Sequence, residues 1–445
     1  MGKILGRSLK QALIGLFLAT SVQAEALPEP LTDVDFVPLD MQQVRLGQLL
    51  FYDPILSGNR NISCASCHHP RFGTSDGLSL GLGEGALGLG AERHVTAENT
   101  PEQRIPRNSP ALFNLGAREV THLFHDGRIG VDPSRPSGMR TPMDEEMVTG
   151  FASVLSAQTM FPVLSPDEMA GHYNENEVAK AVRSGFITGE NGAWSRISAR
   201  VAAVPAYREA FARAYPEIAA GRALAFTDIS NAIAQFIAFE WRSDQSPFDA
   251  VLRGEAAFAP EAAQGADLFY GAAGCSTCHS GPLLSDQGFH AMGAPQLGPG
   301  KAERFEQHAR DEGRFRVTGH AEDMFAFRTP SLRNVMETGP WGHAGSHSDL
   351  ARFIADHAQR GAALAGYDRA QAVLPDLTKT KPDWAEMETP EDLAAIRAAA
   401  GPGQVLRATD VAALMAFLAT LSDPVALKGR LGVPEAVPSG LPVER

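Results

Sequence analysis

The sequence predicts a mainly α-helical protein built from two similar units with long loops. Three observations predict it. A C-x-x-C-H pattern occurs twice, an apolar segment of helical period precedes each copy, and few stretches alternate with strand period. With 445 residues the chain is about two to three times the usual domain size, so two domains are expected. The 43 glycines and 30 prolines supply the long connections.

In chain order, residues 1–24 read as a secretory signal peptide. Lys3, Arg7 and Lys10 form a basic start, Ala12 to Thr20 a short apolar stretch, and Val22-Gln23-Ala24 a small-residue cleavage site. Met41 to Tyr52 carries Val44, Leu46, Leu49, Leu50 and Phe51 at helical spacing, just before the first motif. The run 81–90, GLGEGALGLG, lacks the strand-before, helix-after setting and the following Lys-Ser/Thr of a phosphate cradle. Gly127 to Gly150, rich in Pro, Ser and charge, reads as a surface insertion. Further helices are expected at Glu177–Gly185, Ala193–Val204, Asp228–Trp241, Ala262–Tyr270, Asp349–Gln359 and Thr409–Leu421, the last capped by Thr409 or Asp410. The expected division is 25–235 for the first unit and 236–445 for the second, whose last helix is a candidate to pack back on the first.

Composition sets the outer bounds. Hydrophobic residues at 44% and charged residues at 20% are ordinary for a folded chain. Lys+Arg total 39 against Asp+Glu 52, a balance of −13, and loss of the three cations in residues 1–24 leaves 36 against 52. So acidic a chain lacks the basic footprint of nucleic-acid binding. After the leader, no apolar run approaches the ~20 residues of a membrane span.

The cysteines carry the chemistry. All four lie in two copies of one pattern, Cys64-Ala-Ser-Cys67-His68 and Cys275-Ser-Thr-Cys278-His279. C-x-x-C-H is the attachment signature of c-type haem: two thiols one turn apart form thioethers with one porphyrin, and the adjacent imidazole ligates the iron. A thioredoxin-like dithiol needs no following His, and two disulfides leave the repeated His unexplained. A four-cysteine zinc site would have to join pairs some 207 residues apart. Two covalent haems also agree with an exported chain.

Around these motifs the segments CASCHHP, PRNSPALFN, LFHDGR, AQTMFPVLSPDEM, GCSTCHSGP and FRTPSLRNVMETGPWGHAGS resemble the bacterial dihaem cytochrome c peroxidase and MauG superfamily over nearly the whole mature chain. Within it the chain looks most like the MbnH branch, dihaem enzymes associated with methanobactin-type gene clusters. The resemblance implies two cytochrome c-like haem domains in a dihaem peroxidase/MauG architecture. It makes haem 1 the peroxide-reactive one, with His68 as proximal ligand, and places Gln158, Pro162 and Glu168 in its distal pocket. Glu84 stands where many peroxidases carry a removable His ligand, so the resemblance implies an open coordination site at haem 1, with His94 the nearest substitute. At haem 2 it makes His279 proximal and His357 distal, with Met336, Met324 and His347 as fallbacks. It further implies a Ca²⁺ held by the Asn108 side chain and the backbone carbonyls of Thr338 and Pro340. His125 replaces the Trp the family often has between the haems, which leaves the inter-haem electron route open, and Trp341 lies beside the calcium segment.

The activity so implied is a periplasmic oxidase that uses H2O2 to reach a high-valent state shared by two irons. That state would oxidise a partner protein, Trp to kynurenine on an MbnP-type copper-binding protein. Two alternatives stand beside it: a peroxidase drawing electrons from a small c-type cytochrome, and a non-enzymatic dihaem electron carrier.

Overall fold

The computed structural model describes residues 27–300, 306, 308–377 and 382–445. The leader expected at 1–24 lies outside the described residues. No helix among them is long and apolar enough to cross a membrane.

The first long helix is Met41–Tyr52. Asp40 caps it, its Oδ1 accepting from the N–H groups of Gln42 at 2.7 Å and Gln43 at 3.3 Å. Pro54 ends it by driving Asp53 into extended backbone. Val44, Leu46, Leu50 and Phe51 turn inward and are almost wholly buried. They meet the helix Phe226–Glu240, whose Ile229, Ala232, Ile233 and Phe236 are equally buried. In the second unit, Pro260–Phe269 crosses Ala408–Ala419 in the same manner. The expected helices are all present, with ends shifted by a few residues. The Ala408–Ala419 helix corrects the expected cap. It starts one residue earlier, so Arg407 is the N-cap, and Asp410 reaches back to accept from the Arg407 N–H at 3.2 Å.

Both crossings rest on a glycine. A Cβ on Gly47 would lie 1.9 Å from the Ala232 carbonyl oxygen and 2.8 Å from Phe236 Cβ. A Cβ on Gly265 would lie 2.0 Å from the Ala413 carbonyl oxygen and 2.7 Å from Phe417 Cβ. In each unit the helix ahead of the haem motif thus lies backbone-on-backbone against an Ala-x-x-x-Phe face of its partner. The internal repeat read from the motifs extends to this contact.

Strand content is small but not where it was expected to be absent. The segment read as a surface insertion supplies two strands, Ile129–Val131 and Met139–Arg140, that join His122–Leu123 in an antiparallel three-stranded sheet, with His122 opposite Gly130 and Gly130 opposite Arg140. Ile129 and Met139 are buried, so its base is core, while Val131 and much of the turn that follows it face water. A second pair, Phe289–His290 with Phe327–Arg328, lies in the second unit.

Two main apolar clusters form. The larger gathers residues from Leu31 through Trp241, among them Phe226, Ile229, Ile233 and Phe236 of the Phe226–Glu240 helix. The second gathers Phe248, Phe269, Tyr270, Leu414 and Phe417. The chain then returns. Ala408–Ala419 stays in the second cluster, while Ala426, Leu431, Val437 and Leu441 beyond it pack on the first. Buried Asp53 anchors this tail, accepting from Tyr207 Oη and Ser439 Oγ, each at 2.7 Å.

The glycine contacts predict an inverted propensity effect. Ala is ordinarily the better helix residue by about 0.5–1 kcal/mol. Gly47→Ala and Gly265→Ala should nevertheless destabilise the holoprotein by about 1–3 kcal/mol in chemical denaturation. Gly366→Ala, whose Cβ meets nothing within 4 Å, should leave the midpoint unchanged.

Candidate functional site

Each C-x-x-C-H motif opens with one tight turn, Cys64–Ser66 or Cys275–Thr277. The His68 N–H then donates to the Cys64 carbonyl at 3.0 Å, and the His279 N–H to the Cys275 carbonyl at 2.9 Å. That bond carries each imidazole back over its pair of thiols. Both rings are fixed from behind. His68 Nδ1 lies 3.0 Å from the Thr74 carbonyl oxygen and His279 Nδ1 lies 3.0 Å from that of Leu284. A carbonyl only accepts, so Nδ1 carries the proton and Nε2 keeps its lone pair, as a metal-binding imidazole requires. Burial lowers both imidazole pKa values, which keeps them neutral. The two carbonyl bearers share a rare conformation, Thr74 at φ 64° and Leu284 at φ 51°. For non-glycine residues this left-handed backbone is costly and marks a local functional demand.

Both motifs open into one cavity of about 700 Å³, with Phe51, Leu56, Leu283 and Leu332 among its apolar walls. The four cysteines are free thiols. Burial pushes Cys64 and Cys67 up to about 12 and Cys275 up to about 11. Paired thiols, a neutral imidazole beside each pair and an apolar chamber shared by both fit two c-type haems.

His357, on the helix Leu350–Gln359, faces His279 across this cavity. Their ring centres are 6.4 Å apart and tilted by 54°. With metal–imidazole bonds of about 2 Å, one iron between two imidazoles sets the ring centres roughly 6 Å apart. Phe353, one helical turn back, stacks on His357 at 5.2 Å and fixes its plane. Burial, with help from His279, pulls His357 down to about 3, so its ring is neutral. The fallback residues are engaged elsewhere. His347 has Nε2 3.2 Å from Asp356 Oδ2 and Nδ1 2.8 Å from Ser346 Oγ. Met324 and Met336 pack in apolar clusters away from the cavity wall.

Gln158, Pro162 and Glu168 line the cavity that also exposes His68. Gln158 ends the helix Val154–Gln158, Pro162 opens the turn Pro162–Leu164, and Glu168 sits in the turn Pro166–Ala170. Trp194 pins the segment, its Nε1 donating to the Met160 carbonyl at 2.9 Å. Ser165 Oγ accepts from the Glu168 N–H at 3.3 Å. Glu168 lies near enough to the first motif for its charge to help raise the Cys67 thiol, after burial.

Glu84 does not line the cavity. It is fully buried, and its Oε1 accepts from the side-chain amides of Asn59, Asn61 and Asn99 at 2.8, 2.7 and 3.0 Å. Its N–H donates to the Asp167 carbonyl at 3.0 Å, which braces the turn bearing Glu168. His94 is exposed, with Nδ1 3.0 Å from the Glu92 carbonyl, and is no substitute ligand in this conformation.

Asn108, Thr338 and Pro340 all line the cavity. Asn108 Nδ2 donates to the Leu78 carbonyl at 2.6 Å, and the oxygen-only donor set of the three suits a hard cation. Trp341 also lines the cavity, its Nε1 donating to the Val335 carbonyl at 2.8 Å. Sequence reasoning missed two buried carboxyls. Asp76 lines the chamber beside the first motif, and burial pushes it up to about 7. Asp311 joins His125 and His343. Neither stands in a recognisable spacing, so only the fold reveals them.

The chain is similar to known dihaem proteins in sequence and fold. A family model described as "Di-haem cytochrome c peroxidase" matches residues 41–257, which include the first motif and the Gln158–Glu168 segment. The chain is 29% identical over 341 residues to the methylamine utilization protein MauG of Methylorubrum extorquens, spanning 76% of this chain and 73% of that one. It is 30% identical over 353 residues to the cytochrome c551 peroxidase of Pseudomonas aeruginosa, spanning 78% and 82%. Among solved structures, a MauG-like protein associated with microbial copper homeostasis superposes with a TM-score of 0.55 at 25% identity, covering 92% of this chain and 96% of that one. The diheme peroxidase BthA of Burkholderia thailandensis superposes with a TM-score of 0.56 at 21% identity, covering 96% and 97%, a likeness of fold alone.

Replacing Cys64 and Cys67 together by Ala should halve the covalent haem per chain, as read by pyridine haemochrome and intact mass. Full retention would contradict the assignment of this turn as an attachment site.

Proposed function

The chain belongs to the dihaem cytochrome c peroxidase family, a haem-dependent oxidoreductase acting with peroxide, and we propose that it is an exported, MauG-like oxidase that turns peroxide on a partner protein. One observation carries this reading. An imidazole, His357, faces the second proximal imidazole at 6.4 Å between ring centres. Methionine ligation raises a haem's potential. Two imidazoles therefore favour the oxidised side, which suits a centre that stores oxidising equivalents. The residues that would hold the groups are Cys64, Cys67 and His68 for the first haem, and Cys275, Cys278, His279 and His357 for the second. When bound, the haems supply the redox-active iron for the two-electron reduction of peroxide.

The chain's own part is to bind, orient and move protons. Gln158 Nε2 donates a hydrogen bond that orients peroxide. The Glu168 carboxylate would take a proton from one oxygen of peroxide and return it to the oxygen that departs. Pro162 shapes the turn between them. Glu84, tied to three amides and withdrawn from the cavity, would leave the space lined by His68, Gln158 and Glu168 open to peroxide. Asn108, Thr338 and Pro340 form a Ca²⁺ site on the cavity wall. The division expected at 235/236 would cut the helix Phe226–Glu240, whose Phe236 and Ile237 pack in the first cluster, so the division is better drawn past that helix, and the leader directs the chain to the periplasm.

The finer reading is a tryptophan on an MbnP-type copper-binding protein as substrate, converted to kynurenine. It is supported by the similarity to the MauG-like protein associated with copper homeostasis. The rival, peroxide reduction with electrons from a small c-type cytochrome, is supported by comparable identity to a cytochrome c551 peroxidase. Incubating a candidate copper-binding partner with holoenzyme and peroxide separates them. Mass spectrometry should find a kynurenine on the partner. Rapid turnover with reduced cytochrome c and an unmodified partner would select the rival.

Two variants test the residues. Glu168→Gln should slow the reaction of the ferric enzyme with peroxide by roughly 100-fold or more in stopped-flow absorbance. His357→Met should raise the midpoint potential of haem 2 in a spectroelectrochemical titration while leaving haem 1 near its wild-type value.

A further inference from the structure

Across the shared cavity the two units converge on a single carboxylate. Asp311, 2% exposed, belongs to the second unit. Its Oδ2 lies 3.0 Å from His125 Nε2 and 3.0 Å from His343 Nε2, and it also pairs with the Arg107 guanidinium. Arg107 and His125 come from the first unit. The carboxylate is immobile. Its Oδ1 accepts from the Gly313 N–H at 3.0 Å, and Gln296 grips its backbone from both sides at 2.9 Å, Nε2 donating to its carbonyl and Oε1 accepting from its N–H.

The rings it holds form a continuous contact. His125 and His343 have centres 5.3 Å apart, and Phe327 stacks on His343 at 3.5 Å with an interplanar angle of 15°. All three line the chamber into which both haem motifs open. Backbone ties hold the seam shut. The Arg328 N–H donates to the His125 carbonyl at 2.7 Å, and the Arg314 guanidinium donates to the carbonyls of Asp126 at 3.0 Å and Gly127 at 3.1 Å.

A buried carboxylate shared by two rings and one cation is costly to assemble for stability alone, since apolar residues of similar volume often fill such a site as well or better. Its distinctive product is geometry: two imidazoles from different units locked in register. Burial and the Arg107 charge hold His343 well below its ordinary pKa, so it stays neutral and donates its N–H to Asp311. Imidazole is also much harder to oxidise than indole.

We propose that Asp311 is a positioning residue for electron transfer between the haems, locking His125 and His343 into a bridge that conducts without itself being oxidised. This rests on the reading that the two irons share peroxide's oxidising load. Peroxide and two protons take up two electrons and leave as two waters. The haems, when bound, would supply both electrons, one of them crossing between the units past His125 and His343. The bridge returns to its starting state with no proton gained or lost.

The test is the rate at which one electron, injected photochemically into the diferric holoenzyme, equilibrates between the two haem bands. Asp311→Ala and His125→Phe should each slow it roughly tenfold or more, as small misplacements in a preorganised site do. Asp311→Asn, which keeps one acceptor, should fall between Ala and wild type. If the Ala variant fails to load both haems, Asp311→Asn and His125→Phe decide. Equilibration at the wild-type rate in fully loaded variants overturns the proposal. A separate peroxide titration of the wild type judges the shared load: if only one haem responds, that reading fails, and the injected electron still judges Asp311.

Discussion

Everything at this site depends on a backbone carbonyl behind each proximal imidazole. A histidine after a C-x-x-C pair becomes a directed ligand only when one ring nitrogen is occupied, and Thr74 and Leu284 occupy it in the two units at the same 3.0 Å. The cost is visible in the backbone, since both carbonyl bearers adopt positive φ. Surrounding contacts impose that conformation. Thr74 Oγ1 accepts from the Leu112 N–H at 2.7 Å, and Leu284 is completely buried. Local strain is thus held by packing and converted into ligand direction.

The second constraint is the close crossing of helices. A haem-bearing unit of this size needs a rigid wall ahead of its motif, and Gly47 and Gly265 let that wall form by backbone contact with Ala232 and Ala413. Because the helices cannot slide without a clash, the turns at Cys64 and Cys275 start from fixed points. The C-terminal tail then returns from the second unit to the first through Asp53 and Ser439. Together with the seam at Asp311, this makes the relative placement of the two motifs a property of the whole chain.

Legibility followed the range of the interaction. The motifs, the long helices and the weak repeat were readable because thioether spacing and helical periodicity are local. The Gln158, Pro162 and Glu168 positions were readable only through resemblance, and the fold brings them to one cavity wall with His68. The strands Ile129–Val131 and Met139–Arg140 read as part of an insertion because they are two or three residues long, too short for alternation to register. The cap of the Ala408–Ala419 helix was misread because an acidic residue in the third position mimics an N-cap in sequence.

What the sequence determined by itself was the kind of chemistry: four cysteines used up in two C-x-x-C-H motifs specify covalent haem twice, since that spacing and the adjacent imidazole are sufficient within five consecutive residues. Only the tertiary structure decided which imidazole faces the second motif, that Glu84 is withdrawn into an amide cage, and that Asp311 gathers His125, His343 and Arg107. Those are contacts between residues tens to hundreds of positions apart, set by packing and burial, and no local pattern encodes them.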